Sequence, residues 1–290
     1  MKRINDWKIV STGLSLAVMV SFSACQEDSE GVTSSADEAD AIALDEAVAD
    51  DLFEDIDLLS DEAADFEGDS SGGRLENEET TLMSDCVGRG VERQRVEGVF
   101  TKTVTLDFQE GCEGPKGRER KGTMIITRVT DTNESTYTVS TTLQNFYLDG
   151  KKVEGTRTRV YTTLEPGVQQ VQITLADGKV TLEDGQVIER DGSFTKTWNR
   201  DSGETTVEGS ATGINRNGVS YTSTITEPLM YKRNCRVDGV FMAVDGIRNI
   251  TREGKADVTV DYGDGECDKT VDVTVDGETR SVEMTITRKD

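Results

Sequence analysis

Between residues 37 and 66, apolar side chains return at spacings of three and four, through Ala41, Leu44, Val48, Leu52, Ile56, Leu59, Ala63 and Phe66. Asp and Glu fill most of the positions between them. A period near 3.6 gathers such positions on one face, which predicts an amphipathic helix over 37–66. Ser34 or Ser35 is a candidate cap for its start, and the cluster Gly68-Asp69-Ser70-Ser71-Gly72-Gly73 ends it in a hinge. The apolar stripe needs a cover. Docking on the chain's own β region and presentation to a partner protein both provide one. A disordered spacer is the third reading, because so many acids along one helix repel one another.

From about residue 96 the period changes to two. Thr103-Val104-Thr105-Leu106-Asp107-Phe108, Thr136-Tyr137-Thr138-Val139-Ser140 and Thr222-Ser223-Thr224-Ile225-Thr226 alternate hydroxyl with aliphatic or aromatic residues, as half-buried strands do. Asp149-Gly150, Asp177-Gly178, Asp184-Gly185, Asp191-Gly192, Asn217-Gly218 and Asp276-Gly277 are hairpin signals, because Gly accepts positive φ. The expected fold class is mainly β: antiparallel meander sheet or sheets over 86–290, preceded by one acidic helix.

Two regions of this β stretch, 86–128 and 235–288, echo each other. Each has a Cys, a Gly-Val-Phe step (98–100 and 239–241), an Asp-aromatic turn, a second Cys and a Met-containing strand, in one order. Duplication accounts for that recurrence better than chance likeness of Thr-rich strands. The echo favours the pairs Cys86–Cys112 and Cys235–Cys267 among the three connectivities that four cysteines allow.

The amino-terminal end supplies the compartment. Lys2, Arg3 and Lys8 precede an apolar stretch from Ile9 to Phe22, and Ser23-Ala24-Cys25 follows. Residues 1–24 therefore read as a secretory leader, too short for a permanent span, and Cys25 as the acylated first residue of a lipoprotein. Several acyl chains on one residue anchor a protein stably to a membrane. An exported chain meets an oxidising compartment, which suits disulfides.

Composition sharpens this picture. From Cys25 onward the chain carries 29 basic and 55 acidic side chains, a net −26, and it contains no His. Residues 26–85 hold 22 of those acids against one base, Arg74, so the stretch 25–85 reads as a lipid-anchored acidic tether that includes the helix. Such charge argues against nucleic acid as a partner. Without imidazole, Ser-His-Asp and Cys-His catalysis and His-ligated zinc are excluded. No CxxC pair and no phosphate-cradling Gly motif occurs. Carboxylate-pair hydrolysis needs two acids across a sugar cleft, and the 33 acids of 86–290 single out no such pair. No residue is assigned a catalytic role, and the chain reads as non-enzymatic.

Asp261, Asp264, Glu266 and Asp268 lie within eight residues of one tight loop, a set of hard oxygens of the kind calcium takes, although without EF-hand spacing. A plain hairpin is the competing reading there, and no other cofactor is expected. Trp198 and Tyr221 are candidates to stack a sugar face, or to fill the core.

The leader ending at Cys25, Phe53-Glu54-Asp55-Ile56-Asp57, Asp107-Phe108-Gln109-Glu110-Gly111-Cys112, Gly117-Arg118-Glu119-Arg120-Lys121-Gly122, Val153-Glu154-Gly155-Thr156-Arg157-Thr158, Gly213-Ile214-Asn215-Arg216-Asn217-Gly218 and Asp261-Tyr262-Gly263-Asp264-Gly265-Glu266-Cys267-Asp268 resemble a group of Bacteroidota lipoproteins. The resemblance covers most of the chain after Cys25. It implies outer-membrane residence, and Gln26-Glu27-Asp28-Ser29-Glu30 is similar to the acidic signals that carry such lipoproteins to the cell surface rather than leaving them on the periplasmic face. It implies no activity. The function expected is that of a lipid-anchored envelope protein, a structural or interaction platform for another envelope protein. The alternative is a surface module that binds glycan or calcium.

Overall fold

The computed structural model describes residues 35–65, 84–114 and 117–284. The leader, Cys25, Ser34, Phe66, the Gly68–Gly73 cluster and the end of the Met284 strand lie outside these residues. Helix α1 spans Ser35–Asp65. Strands follow as β1 (Gly88–Val96), β2 (Val99–Asp107), β3 (Cys112–Glu113), β4 (Glu119–Asp131), β5 (Thr136–Leu148), β6 (Lys151–Glu165) and β7 (Val168–Thr181). The second half holds β8 (Val187–Asn199), β9 (Glu204–Ile214), β10 (Ser220–Lys232), the short helix α2 (Arg233–Val237), β11 (Asp245–Arg252), β12 (Val258–Asp264), β13 (Thr270–Val275) and β14 (Glu278–Glu283).

All strands join one antiparallel sheet in chain order, with β1 and β14 at its ends and β3 as a side branch on β4. The period-two pattern is realised as expected: in β2 Lys102, Val104 and Leu106 turn inward, and in β13 Val271, Val273 and Val275 do. Tight turns occur at Asp149-Gly150 and Asp276-Gly277, where both residues of each pair have positive φ. Two of the other expected turns are absent. Asp177-Gly178 lies within β7 and Asp191-Gly192 within β8. A bulge separates Leu175 from Gly178 in the register, and the Asp177 amide donates to Asp191 Oδ1 at 2.6 Å. A Cβ on Gly178 would come within 2.2 Å of the Arg190 carbonyl oxygen, so this glycine serves close strand approach. The edge strand β1 is exposed almost throughout and carries Arg89, Glu92, Arg93 and Arg95, which discourages pairing with another chain.

Both disulfides form as the echo favours, Cys86–Cys112 and Cys235–Cys267. Each closes a hairpin, β1–β2 in one case and β11–β12 in the other. The rest of the echo does not superpose by element. Gly98 makes the β1–β2 turn, whereas Gly239 lies before β11, and Met124 falls in the first strand after its Cys pair while Met284 follows the second.

Helix α1 belongs to the same compact unit as the sheet, Thr33–Asp290. Its neighbouring residues Asp50 and Asp51 show how the sheet embraces it. Asp50 pairs with Arg190 on β8 and Arg248 on β11, whereas Asp51 pairs with Arg118, the residue before β4. The sheet therefore curls around the helix. From Glu38 to Ala64 no helix residue is exposed. Leu52, Phe53, Ile56 and Leu59 join an apolar cluster with β2–β8, and Ala39, Ile42, Ala43 and Ala47 join another with β10–β14.

The acids of the helix are not on a wet face. It holds thirteen Asp and Glu and no base, and Asp45, Glu46, Asp51, Asp55 and Asp57 are each at most 6% exposed. The sheet supplies their counter-charges. Arg120 grips Asp55 through Nε and Nη2, and Arg157 grips Asp57 in the same two-pronged way. Arg248 bridges Glu46 and Asp50 at 2.9 and 2.6 Å. Toward the ends, Arg280 pairs with Asp40 and Arg128 with Asp65. The last turn has no base of its own, so Lys102 of β2 donates to the Ala64 carbonyl at 2.8 Å and meets the negative end of the helix dipole.

Candidate functional site

On one flank of the helix the packing is incomplete. A cavity of about 340 Å³ opens between the stretch Glu54–Asp61 and strands β6, β7 and β8, with the β10–α2 junction closing its far side. This volume is at the low end of the ordinary range for small-ligand sites, about 300–1,000 Å³. Alternation along β6 and β8 places the walls: Arg159 and Tyr161 on β6 share an inward face two residues apart, as do Lys196 and Trp198 on β8. Gln169, Thr205 and Tyr231 add hydrogen-bonding groups, and Leu58, Val171 and Ile173 add apolar surface.

The carboxylates beside the cavity are already engaged. Glu54 accepts from Lys196 Nζ at 2.7 Å and from Arg236 Nη2 at 2.9 Å. Asp61 accepts from Arg159 Nη1 at 2.7 Å and from the Tyr161 hydroxyl at 2.5 Å. Burial alone would raise the Glu54 pKa, but Lys196 and Arg236 outweigh it and hold the group well below the carboxylate range. Asp50 is lowered in the same way, burial being overcome by Arg248 and Arg190. Asp61 moves oppositely, pushed up to about 6 chiefly by burial, against the pull of Arg159 and the Tyr161 hydroxyl. Opposed shifts in one cavity suit an acid–base pair. Here, however, both carboxylates are tied to cations, an arrangement that orients guanidinium and ammonium groups.

These shifts set the pH dependence of stability. Asp50 and Glu54 have lower pKa values folded than unfolded, so their stabilisation is present above the unfolded values and is lost as pH falls through the folded ones. Asp61 is raised, so its contribution is complete below its unfolded value and is lost as pH rises through about 6. Its side chain is 40% exposed, which keeps that share small. Urea midpoints measured against pH should rise slightly from pH 7 toward 5 and fall steeply below about 4. Asp61→Asn should flatten the rise and leave the acid limb in place.

The residues singled out from sequence fall as follows. Trp198 is on the cavity wall, half-buried, while Tyr221 is a core residue. Asp261 and Asp268 act as turn formers: Asp261 Oδ1 accepts the Gly263 amide at 3.0 Å and Asp268 Oδ1 the Thr270 amide at 2.9 Å. Among the described residues no group of three or more His, Cys, Asp or Glu is placed to hold a metal ion, so Asp261, Asp264, Glu266 and Asp268 are not gathered into a calcium cage. The cationic wall, Arg159 and Lys196 with Lys232, Arg233 and Arg236, was not legible beforehand. Its one local trace is the alternation Arg157-x-Arg159-x-Tyr161, which puts two guanidiniums and a phenol on one strand face.

No protein-family model, curated protein or solved structure matches the chain. Among the described residues no helix is long and apolar enough to cross a membrane.

Proposed function

We propose that this chain is a lipid-anchored envelope protein, held at Cys25 on the outer surface of the outer membrane, whose β unit binds a saccharide in the cavity beside Trp198. It is a binding module without catalysis. The observation that carries this reading is the cavity itself: an indole and two phenols, Tyr161 and Tyr231, stand around about 340 Å³ together with the amide of Gln169 and the hydroxyl of Thr205. Aromatic bodies with a few convergent polar groups are the usual makeup of small-ligand sites. The helix, by contrast, is wrapped by its own sheet, so the apolar face once available to a partner is already covered. That removes the strongest motive for a docking platform.

Indole emission gives a direct test. The chain has two tryptophans, Trp7 in the leader and Trp198. In the full chain carrying Trp7→Phe, Trp198 is the sole indole and reports on the cavity wall. Titration with a panel of neutral and acidic mono- and disaccharides should shift or quench its emission saturably for at least one member. No response to any of them would overturn the reading.

A further inference from the structure

The cations around the cavity outnumber the acids that meet them. Across the rest of the helix–sheet interface each inward guanidinium has a carboxylate, as Arg120 has Asp55, Arg157 has Asp57 and Arg248 has Glu46 and Asp50. Near Trp198 this matching stops. Among the described residues Arg200 and Arg233 have no carboxylate partner; both are exposed, with guanidinium carbons 5.5 and 5.9 Å from the centre of the Trp198 ring. Among the described residues Lys232 reaches only a carbonyl, that of Gly265, at 2.6 Å. Arg159 lines the cavity, is 1% exposed, spends Nη1 on the Asp57 carbonyl and Asp61, and faces Asp57 Oδ1 with Nε at 3.4 Å, while its Nη2 finds no hydrogen-bond acceptor among the described residues. An unmet buried N–H is costly, more so on a charged group.

We propose that the ligand of this cavity is an acidic sugar, whose oxyanion is held by Arg159 within the cavity and by Arg200 and Arg233 at its rim. This rests on the saccharide reading above. Guanidinium groups match carboxylate and phosphate oxygens in paired geometry, and charge-assisted bonds are about twice as strong as neutral ones. A neutral sugar supplies hydroxyl oxygens but leaves the positive charge uncompensated. An acyl chain fits worse: it would strip water from Arg159, Lys196 and Arg233 and return no hydrogen bonds. Long polyanions are opposed by the acidity of the chain as a whole, net −24, whereas a single charged ring feels mainly the local cations.

The test uses the same full chain with Trp7→Phe and four probes: glucose, glucuronate, glucose 6-phosphate and inorganic phosphate. At low salt, at least one of the two acidic sugars should bind about tenfold or more tightly than glucose, and more tightly than inorganic phosphate. Which of them binds separates a carboxylate source from a phosphate source. Arg200→Gln with Arg233→Gln should cut that preference about tenfold. Both positions are exposed and, among the described residues, have no carboxylate partner, so the double variant should keep its urea midpoint. Arg159→Gln should abolish the preference, but it also takes the guanidinium from Asp61 and leaves Asp57 with Arg157 alone, so the rim variant carries the decision. Equal affinity for glucose and both acidic sugars would overturn the acidic-sugar proposal while leaving saccharide binding intact. Inorganic phosphate binding as tightly as the acidic sugars would also overturn it. Silence toward every sugar would remove both readings.

Discussion

Arg248→Ala is expected to destabilise the protein by about 3–5 kcal/mol, the cost of breaking a buried ion pair from one side. The reason is geometric. Arg248 is 1% exposed on β11 and its two terminal nitrogens hold Glu46 and Asp50. Glu46 is also 1% exposed, and besides Arg248 it has the Ser223 hydroxyl at 2.6 Å and Arg190 at 3.4 Å. Alanine leaves a carboxylate charge in the interior with half its compensation gone. Urea unfolding of the variant, with Arg248→Met/Glu46→Gln beside it, checks the account. The double variant removes charge from both sides and should recover part of the loss, because the penalty is mostly that of the stranded partner. Lys121→Ala, at an exposed pair with Glu110, should leave the midpoint unchanged.

Removing residues 35–65 is expected to have a still larger effect: the remaining sheet should not fold cooperatively. Two independent costs arise. Leu52, Phe53, Ile56 and Leu59 vacate one apolar cluster, and Ile42 with Ala39, Ala43 and Ala47 vacates the other, so both lose their central layer. The second cost is electrostatic. Arg118, Arg120, Arg157, Arg159, Arg190 and Arg248 all turn toward the helix, and without it they face one another across an empty trough. Like charges converging in a poorly solvated space oppose the compact state. The helix is no better off alone. Its thirteen acids repel, and its last turn carries Glu62 and Asp65 against the dipole. Helix and sheet thus make each other foldable.

Much of this was legible in local pattern. Alternation located the strands, and the helix of the expected span 37–66 is present from Ser35 through Asp65, the last described residue of that segment. The disulfides followed from recurrence of Cys around a hairpin. What stayed hidden has a common physical origin. Binary patterning assigns charged residues to water and so gives no sign that the acids of α1 are buried, while the line of helix residues least deeply covered includes Ala41, Leu44 and Val48. Their counter-charges lie far along the chain: Arg280 meets Asp40 across 240 residues and Arg157 meets Asp57 across 100. No window of the sequence contains both partners. The candidate cavity was hidden for the same reason, since Trp198 was visible as a possible platform but the cations around it come from β6, β8 and the β10–α2 junction. Asp177-Gly178 and Asp191-Gly192 misled because a glycine that admits a neighbouring strand has the same local signature as one that makes a turn.

The claim on which the rest depends is that the acidic helix and the basic lining of the sheet are a single folding unit. Urea unfolding of the chain without residues 35–65, followed by far- and near-ultraviolet circular dichroism, tests it most directly. The account predicts no cooperative transition and no fixed aromatic signal, with both restored when a peptide of residues 35–65 is added. A helix-free sheet that unfolds cooperatively at the midpoint of the whole chain would contradict it.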